Sequence, residues 1–302
     1  MEIKYLSNTE INKDLWDQCM DESHNSLIYG YSWYLDSMAD NWDGMVIGNY
    51  EAVFPLTYRN KKGINYLYQP FFTQQLGLFS KDKNVIVLDM VLDAIPKKFK
   101  FWDIQLNGSF DSIKYKLKKR ITYHINLIDS YVTIKSRYNK DALKNIRKAK
   151  ADDWILTRTK DYKIALQDYM LAYGNLNQNI LEQDYLDLSK ALKQCNERDK
   201  VFIYILKNAV GVRMGSAIFL KSKGAIHYIL GAPTEEGRKL NASHVLIDRV
   251  LEEHASSNLT FDFEGSEIPS VASFYKKFGV NAYTYFGLKV NRLPFPLYLL
   301  KK

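Results

Sequence analysis

The chain has 302 residues, of which 46% are hydrophobic and 25% are charged, and its formal net charge is +8. These proportions are typical of a soluble globular protein, and the length suffices for one large domain or two ordinary ones. The two cysteines, Cys19 and Cys195, exclude a disulfide framework and fit a reducing compartment.

The N-terminal stretch is polar and lacks the apolar core of a secretion signal. The longest apolar runs are far shorter than the ~20 residues that a membrane-spanning helix needs. We therefore predict a cytoplasmic protein without a membrane span.

The first part of the chain combines helical and strand patterns. Two short helices are predicted over residues 13–20 and 32–39, followed by three antiparallel strands within 45–72. A helix over 83–99 and a strand over 101–108 complete this series.

A strongly basic segment follows. Residues 135–150 hold seven lysines and arginines against a single acidic residue, Asp141. The pattern predicts a basic helix that bridges two halves of the chain. Both a solvated helix face and a contact with nucleic acid, phosphate or an anionic lipid surface agree with this charge.

Beyond this segment the order of elements repeats. Helices are predicted over 160–174 and 184–195, three strands within 201–232, a helix over 240–255 and a strand within 260–265. The last helix begins near Asn241 or Ser243, either of which can cap it.

Corresponding positions of the two series are related by a nearly constant offset along the sequence. The turn at Lys62 and Gly63 matches the turn at Lys223 and Gly224. The strand at 101–108 matches the strand at 260–265 with almost the same offset, which aligns Asp103 with Asp262. This agreement indicates a duplication, with chance alignment of generic hairpins as the alternative.

These patterns predict an α/β fold of two similar halves, each a mixed, mostly antiparallel sheet flanked by helices. The expected domains span residues 1–134 and 153–302, and the basic helix at 135–152 connects them. No Pro/Gly/Ser-rich linker separates the halves, so we expect them to pack together around a cleft suited to a ligand.

The most informative motif is FDFEGSEIPSVASFYKKFGV, at residues 261–280. It predicts a strand, a turn at 264–266 and a short helix that carries residues 274–277. The motif resembles the last strand and helix of GNAT-type acyltransferases. It also resembles FemAB-type aminoacyltransferases, which contain two GNAT-like halves. The resemblance implies a tandem GNAT-like architecture and an acyltransferase activity.

The resemblance also implies a catalytic role for Tyr275, because GNAT proteins place a tyrosine beside the departing thiol of coenzyme A. Asp262 and Glu264 flank Phe263 at the strand end, so their side chains share one face. Transfer to an amine needs a base for the amine and an acid for the leaving group. Tyr275, Glu264 and Asp262 are therefore the predicted catalytic residues, with Tyr275 as core filler the alternative.

GNAT proteins also bind a pyrophosphate with backbone amides before the long helix of the fold. The matching segment here is EEGRKLNASHVL, in which Asn241 and Ala242 replace the expected glycines. Arg238 and Lys239 supply charge that suits a phosphate. The predicted cofactor-binding residues are Gly237, Arg238, Lys239 and Asn241, and a solvated turn is the alternative.

FemAB-type chains carry a P…T-x-Q-x-G string after the third strand, and QPFFTQQLG at 69–77 is similar to it. The resemblance suggests polar groups for an amide- or sugar-like acceptor. A loop held by glutamine–backbone hydrogen bonds is the alternative. The FemAB pattern has a lysine at the position of Tyr275, and in this chain the next residue is Lys276. The predicted substrate-binding residues are Tyr68, Thr73, Gln74, Gln75 and Lys276.

The five histidines form no HxH or HExxH pair, so no metal site is predicted. No phosphate-binding loop, dinucleotide fingerprint or nucleophile elbow occurs, which makes nucleotide hydrolysis, dinucleotide redox chemistry and serine hydrolysis poor hypotheses.

The sequence therefore predicts an N-acyltransferase in which an amine attacks an acyl or aminoacyl donor directly, in a cleft of the C-terminal half. The donor is acyl-CoA or aminoacyl-tRNA. The acceptor is an amine-bearing small molecule or cell-envelope precursor, and tRNA is a possible partner. The alternative is a non-catalytic RNA-binding module on a GNAT-like scaffold, which the basic segment and its Tyr138 favour.

Overall fold

A computed structural model describes residues 2–82, 88–108, 112–174, 176, 179–265 and 267–300. The chain forms two compact units. The first unit takes the described residues of 1–120 and 284–302, and the second takes those of 121–283. These limits fall inside strands and differ from the expected domains 1–134 and 153–302.

The first unit begins with a strand and two helices and continues as a sheet with one further helix. Its elements are β1 (Ile3–Leu6), α1 (Lys13–Glu22), α2 (Ser32–Met38), β2 (Asn41–Ile47), β3 (Ala52–Lys61), β4 (Ile64–Tyr68), β5 (Phe79–Ser80), α3 (Leu88–Ala94) and β6 (Phe99–Leu106). The strand β7 (Leu117–Asn126) starts here and ends in the second unit.

Local sequence explains why these helices form. The Asn12 side chain accepts hydrogen bonds from the backbone amides of Asp14 and Leu15 and so caps α1. The buried face of α1 carries Trp16 and Met20 at helical spacing. The predicted helices 13–20 and 32–39, the three strands of 45–72 and the strand of 101–108 are confirmed.

The predicted helix over 83–99 is only partly confirmed. Residues 83–87 lie outside the described residues, and α3 ends at Ala94. Pro96 disfavours helical backbone at the residue before it. The chain instead enters β6 at Phe99, so the predicted helix end was wrong.

The second unit repeats this plan. Its elements are α4 (Tyr131–Ser136), α5 (Lys140–Ala149), β8 (Ile155–Thr159), α6 (Tyr162–Tyr173), α7 (Glu182–Glu197), β9 (Val201–Lys207), β10 (Arg213–Ser222), β11 (Ala225–Pro233), α8 (Glu235–Lys239), α9 (Ala242–His254), β12 (Thr260–Asp262), α10 (Pro269–Lys276) and β13 (Asn281–Asn291), of which β13 ends in the first unit. A 3₁₀ helix, Leu297–Leu300, follows.

The two units have the same strand order. In the first unit it is β1-β2-β3-β4-β6-β13, and in the second it is β8-β9-β10-β11-β12-β7. Both sheets contain one parallel neighbour pair at the same place, β4 with β6 and β11 with β12, among antiparallel pairs. The predicted α/β fold of two similar, mostly antiparallel halves is confirmed.

The sixth strand in each order, β13 in the first unit and β7 in the second, explains where the two units begin and end. β13 pairs with β6 through residues Phe286 to Asn291, whereas β12 pairs with β7 through residues 124–126. Each unit therefore completes its sheet with a strand that lies outside the expected half of the sequence.

The basic segment forms two helices of the second unit instead of the predicted single helix over 135–152. α4 ends at Ser136, and Asn139 caps α5 by accepting a hydrogen bond from Ala142. An asparagine at this position satisfies an amide that a continuous helix would have bonded internally, and it therefore favours a break. Lys135 pairs with Asp248 of α9, so part of the basic charge is used within the unit.

Candidate functional site

In the second unit, the parallel strands β11 and β12 are paired over only a short length. β12 pairs with β11 only at residues 260–262, while β11 continues to Pro233 along β10. The backbone that follows β12, at Phe263 and Glu264, is therefore no longer paired with β11. Beyond His227, the edge of β11 that faces away from β10 has no neighbouring strand within the described ranges. Such edges can bind an extended ligand.

Asp262, at the end of β12, is buried and has four polar contacts. Its Oδ1 accepts hydrogen bonds from the Thr122 hydroxyl at 2.6 Å and from the backbone amide of Glu264 at 2.9 Å, and it lies 3.3 Å from His124 Nε2. Its Oδ2 lies 3.2 Å from His227 Nδ1. Burial opposes the charge, but the contacts with His124 and His227 outweigh it and hold the pKa of Asp262 well below its usual range.

His227 is fully buried on β11, directly across from Asp262 in the parallel register. Its Nδ1 lies 3.2 Å from Asp262 Oδ2 and 3.1 Å from Glu264 Oε1, and its Nε2 lies 2.9 Å from Ser222 Oγ. Burial disfavours the charged ring, but the two carboxylates prevail and raise the pKa of His227 to about 9. His227 is therefore an imidazolium at neutral pH.

Glu264 is more accessible than Asp262 and His227. Its side chain is 14% exposed, against 5% for Asp262 and 2% for His227. Its backbone has φ +60°, a left-handed conformation that is uncommon for a residue other than glycine. The hydrogen bond from its amide to the Asp262 side chain stabilises this turn. The partly exposed carboxylate that follows this turn lies 3.1 Å from His227 Nδ1.

Tyr275, on α10, packs against Phe263. Its ring centroid lies 4.7 Å from that of Phe263 and 6.3 Å from that of Tyr228. It is partly buried. Burial first, and then the nearby groups Tyr169 and Glu264, raise the pKa of Tyr275 well above its usual value. The structure thus brings Asp262 and Glu264 together, while Tyr275 belongs to the aromatic cluster around Phe263.

The predicted cofactor residues lie around α8 and the start of α9. Gly237 is buried, and a Cβ there would meet the Met214 carbonyl oxygen at 1.8 Å, so this glycine allows α8 to pack on β10. Arg238 lies over the Tyr173 ring at 5.6 Å, and Lys239 pairs with Glu235. Asn241 adopts the left-handed conformation at the start of α9 and makes no side-chain capping bond.

The predicted substrate residues fall in both units. Thr73 and Gln75 are buried, and the Gln69 side chain donates a hydrogen bond to the Thr73 carbonyl at 2.7 Å, which holds this loop. Tyr68 lines a cavity of about 690 Å³ in the first unit, whereas Thr73, Gln74 and Gln75 do not. Lys276 is exposed on α10, with Nζ 5.6 Å from the centre of the Tyr123 ring.

Sequence reasoning missed His227, Thr122 and His124. The sequence offset that relates Asp103 to Asp262 also relates Tyr68 to His227. Both of these residues lie across from their aspartate in the parallel pair. The same sequence offset, applied to the strand that precedes each aspartate in its parallel pair, could therefore have identified His227.

His227, Asp262 and Glu264 also form a group that could hold a metal ion, since one ligand atom from each lies within 4.8 Å of the others. In this arrangement the protonated ring bridges both carboxylates, and an ion could bind only after the ring released its proton.

No family model and no curated protein matches the sequence. Solved structures do match. FemX is 13% identical and is covered completely, as is this chain, with a TM-score of 0.70. The chain has the fold of FemX. L-PGS from Bacillus licheniformis is 12% identical, with coverage of 96% of this chain and 95% of that one and a TM-score of 0.55.

A further match to this FemX-like fold is the C-terminal domain of a putative lysylphosphatidylglycerol synthetase from Agrobacterium fabrum. It is 10% identical, with coverage of 97% and 95% and a TM-score of 0.54. The predicted tandem, FemAB-like architecture is thereby confirmed at the level of the fold. These matches lend no support to the RNA-binding alternative.

No helix in the described part of the chain is both long and apolar enough to cross a membrane.

Proposed function

We propose that this chain is an acyltransferase that moves an acyl or aminoacyl group from an activated donor to an amine. The observation that carries the proposal is the Glu264 carboxylate, held at 3.1 Å from a buried imidazolium where β11 and β12 part. The fold shared with FemX and with a domain of a putative lysylphosphatidylglycerol synthetase motivates the choice of group transfer.

Glu264 acts as the proton acceptor in this proposal. An amine is protonated at neutral pH and becomes nucleophilic only after losing a proton. Asp262 is unsuited to that role, because its oxygens are already engaged by four partners and its pKa is strongly lowered. We assign Asp262 and His227 as positioning residues that fix the Glu264 side chain.

The donor would lie along the open edge of β11, with its carbonyl carbon near Glu264. Glu264 takes a proton from the ammonium group, and the neutral amine nitrogen then attacks this carbon. The tetrahedral intermediate collapses with cleavage of the bond to the leaving sulfur of a thioester, or to the leaving oxygen of an aminoacyl ester. The leaving atom takes up the second proton that the nitrogen loses, and Glu264 releases the first proton to solvent. Both donor classes follow the same steps.

Tyr275 would assist the leaving group by donating a hydrogen bond. Its pKa is raised, whereas a thiol ionises near 8.5, so full proton transfer from the phenol to a thiolate is uphill. A hydrogen bond to developing negative charge needs no such transfer. This role assigns the phenol a stabilising function instead of the acid function implied by the resemblance.

The proposed acceptor is an amine of a cell-envelope precursor. The FemX-like fold and the presence of a putative lysylphosphatidylglycerol synthetase among the matches motivate this choice. The proposed donors remain acyl-CoA and aminoacyl-tRNA, which differ in the leaving atom and not in the carbonyl chemistry.

The test is an amine-dependent transfer assay with both donors in separate arms. Release of free thiol from acetyl-CoA and longer acyl-CoAs is measured in one arm, and deacylation of charged tRNA in the other. We expect one donor class to be consumed only when amine is added, and Glu264→Gln to lower the rate about 100-fold.

The control is Glu197→Gln, an exposed glutamate at the end of α7 whose replacement is expected to leave the rate unchanged. If neither donor is consumed and neither raises the melting temperature, the chain is not an acyltransferase of this type. If transfer proceeds equally well in Glu264→Gln, Glu264 is not the base.

A further inference from the structure

The first unit contains a cavity for which the proposed transfer chemistry has no use. It has a volume of about 690 Å³, within the range of small-molecule sites. It lies on the sheet face formed by alternate residues of β4 and β6, including Tyr66, Tyr68 and Phe101. The intervening residues Trp102 and Ile104 pack into the core with α3.

The C-terminal segment closes one side of this cavity. After β13 the chain turns back, and Leu293 and Leu297 line the cavity. Asn291 holds this turn, because its Oδ1 accepts from the Leu293 amide at 3.2 Å and its Nδ2 donates to the Tyr298 carbonyl at 2.9 Å. The wall is therefore built by an ordered set of hydrogen bonds.

The lining combines apolar walls with a positive edge. Ile64, Phe101, Leu293 and Leu297 supply apolar surface, and Tyr66 and Tyr68 add aromatic rings. A separate edge carries two consecutive exposed lysines at the β3–β4 turn, Lys61 and Lys62.

Neither Lys61 nor Lys62 forms an ion pair with any residue that the structure describes. The one carboxylate in the lining, Asp103, is exposed, so two lysines stand against a single acidic residue. The net charge of the lining is therefore positive.

We propose that this cavity binds an amphipathic anion, with its hydrocarbon part against the apolar walls and its carboxylate or phosphate at Lys61 and Lys62. An apolar ligand without charge would leave the lysines unused, and a small polar anion would leave the walls exposed to water. The proposal concerns the first unit alone and does not depend on the transfer reaction.

The experiment measures binding of monomeric lauric acid and lysophosphatidylglycerol by isothermal titration calorimetry with the full chain. Monoacylglycerol of equal chain length serves as the uncharged probe, and inorganic phosphate as the headgroup alone. We expect both amphipathic anions to bind more tightly than either the uncharged probe or phosphate. Higher salt is expected to weaken their binding.

Two sets of variants separate the two parts of the site. The double variant Lys61→Gln, Lys62→Gln is expected to lose about fivefold in affinity for the anions and nothing for monoacylglycerol. Leu293→Asp, and separately Leu297→Asp, is expected to weaken all amphipathic ligands by about tenfold or more. The matched control is Lys118→Gln, Lys119→Gln, another exposed pair of adjacent lysines, which is expected to change neither.

Three results would overturn the proposal. Phosphate binding as tightly as the amphipathic anions would make the cavity a simple anion site. Equal affinity in wild type and both wall variants would place the ligand elsewhere. Binding to phosphatidylglycerol vesicles, without binding of the monomeric lipids, would indicate contact with a membrane surface instead.

Discussion

The charged state of His227 makes a specific prediction about stability and pH. The pKa of His227 is raised to about 9 in the folded chain, against an ordinary value of 6.5. A raised pKa means that the folded state binds the proton more tightly than the unfolded state. The resulting stability is fully present below pH 6.5 and is lost as pH rises through about 9.

The expected size follows from this difference. One pKa unit corresponds to about 1.4 kcal/mol, so His227 contributes about 3 kcal/mol to the free energy of unfolding at pH values below 6.5. Between pH 7 and pH 9 the loss is about 2 kcal/mol. Burial lowers the pKa values of His244 and His254. Their contributions to the pH dependence of stability therefore fall below this interval.

Urea unfolding at pH 7, 8 and 9 measures this loss, and ¹⁵N-detected titration of the histidine rings measures the pKa directly. We expect one of the five histidines to titrate near pH 9 and the pH dependence to vanish in His227→Gln. If His227→Gln does not fold, Glu264→Gln serves, because removing one carboxylate should lower the pKa of His227 and reduce the slope. Exposed His24→Gln is the control.

A free energy of unfolding that stays constant or rises between pH 7 and 9 would refute this reasoning. So would a ring of His227 that is neutral at pH 7. Either result would mean that burial outweighs the two carboxylates, and the positioning role assigned to His227 would then fail.

Four further changes test other parts of the structure. Tyr275→Phe should lower kcat by about 10-fold or more with little change in KM, and an unchanged kcat in steady-state assays would remove Tyr275 from the reaction. Asp262→Asn should cost about 3–5 kcal/mol in urea unfolding, because it leaves the buried His227 charge poorly compensated; a loss below about 1 kcal/mol would contradict that account. Gly237→Ala should cost about 1–3 kcal/mol, since its Cβ meets the Met214 carbonyl, whereas exposed Glu236→Ala should be neutral by melting temperature. Arg238→Gln should weaken acyl-CoA binding severalfold without loss of stability if the start of α9 holds a phosphate, and equal affinity by calorimetry would exclude that contact.

The sequence predicted the elements whose periodicity is clear. The helices α1, α7 and α9 and the hairpin strands β2 to β4 have regular apolar patterns bounded by turn residues. β7 escaped detection because its first half is largely charged and exposed, and β13 because most of its early residues are exposed as well. Strands of this kind are specified by their neighbours and not by their own pattern.

The site was only partly predictable for a similar reason. Asp262 and Glu264 are close in sequence, so strand alternation sufficed to place them on one face. His227 lies 35 residues before Asp262 and joins it only through the parallel pairing of β11 with β12. Its raised pKa depends on burial and on two carboxylate distances, which no local pattern contains. The structural role of Gly237 likewise depends on the carbonyl oxygen of Met214, which belongs to a different element.

The sixth strand of each sheet has a consequence for how the protein is made. During synthesis the first unit lacks its closing strand until residues up to Asn291 have left the ribosome, although the other elements of that unit are already available. One edge of β6 therefore remains unpaired while the whole second unit is translated. A fragment that stops anywhere before β13 would expose this edge permanently, so separate expression of either sequence half should yield aggregating protein, whereas a circular permutant that joins β13 to the first unit should not.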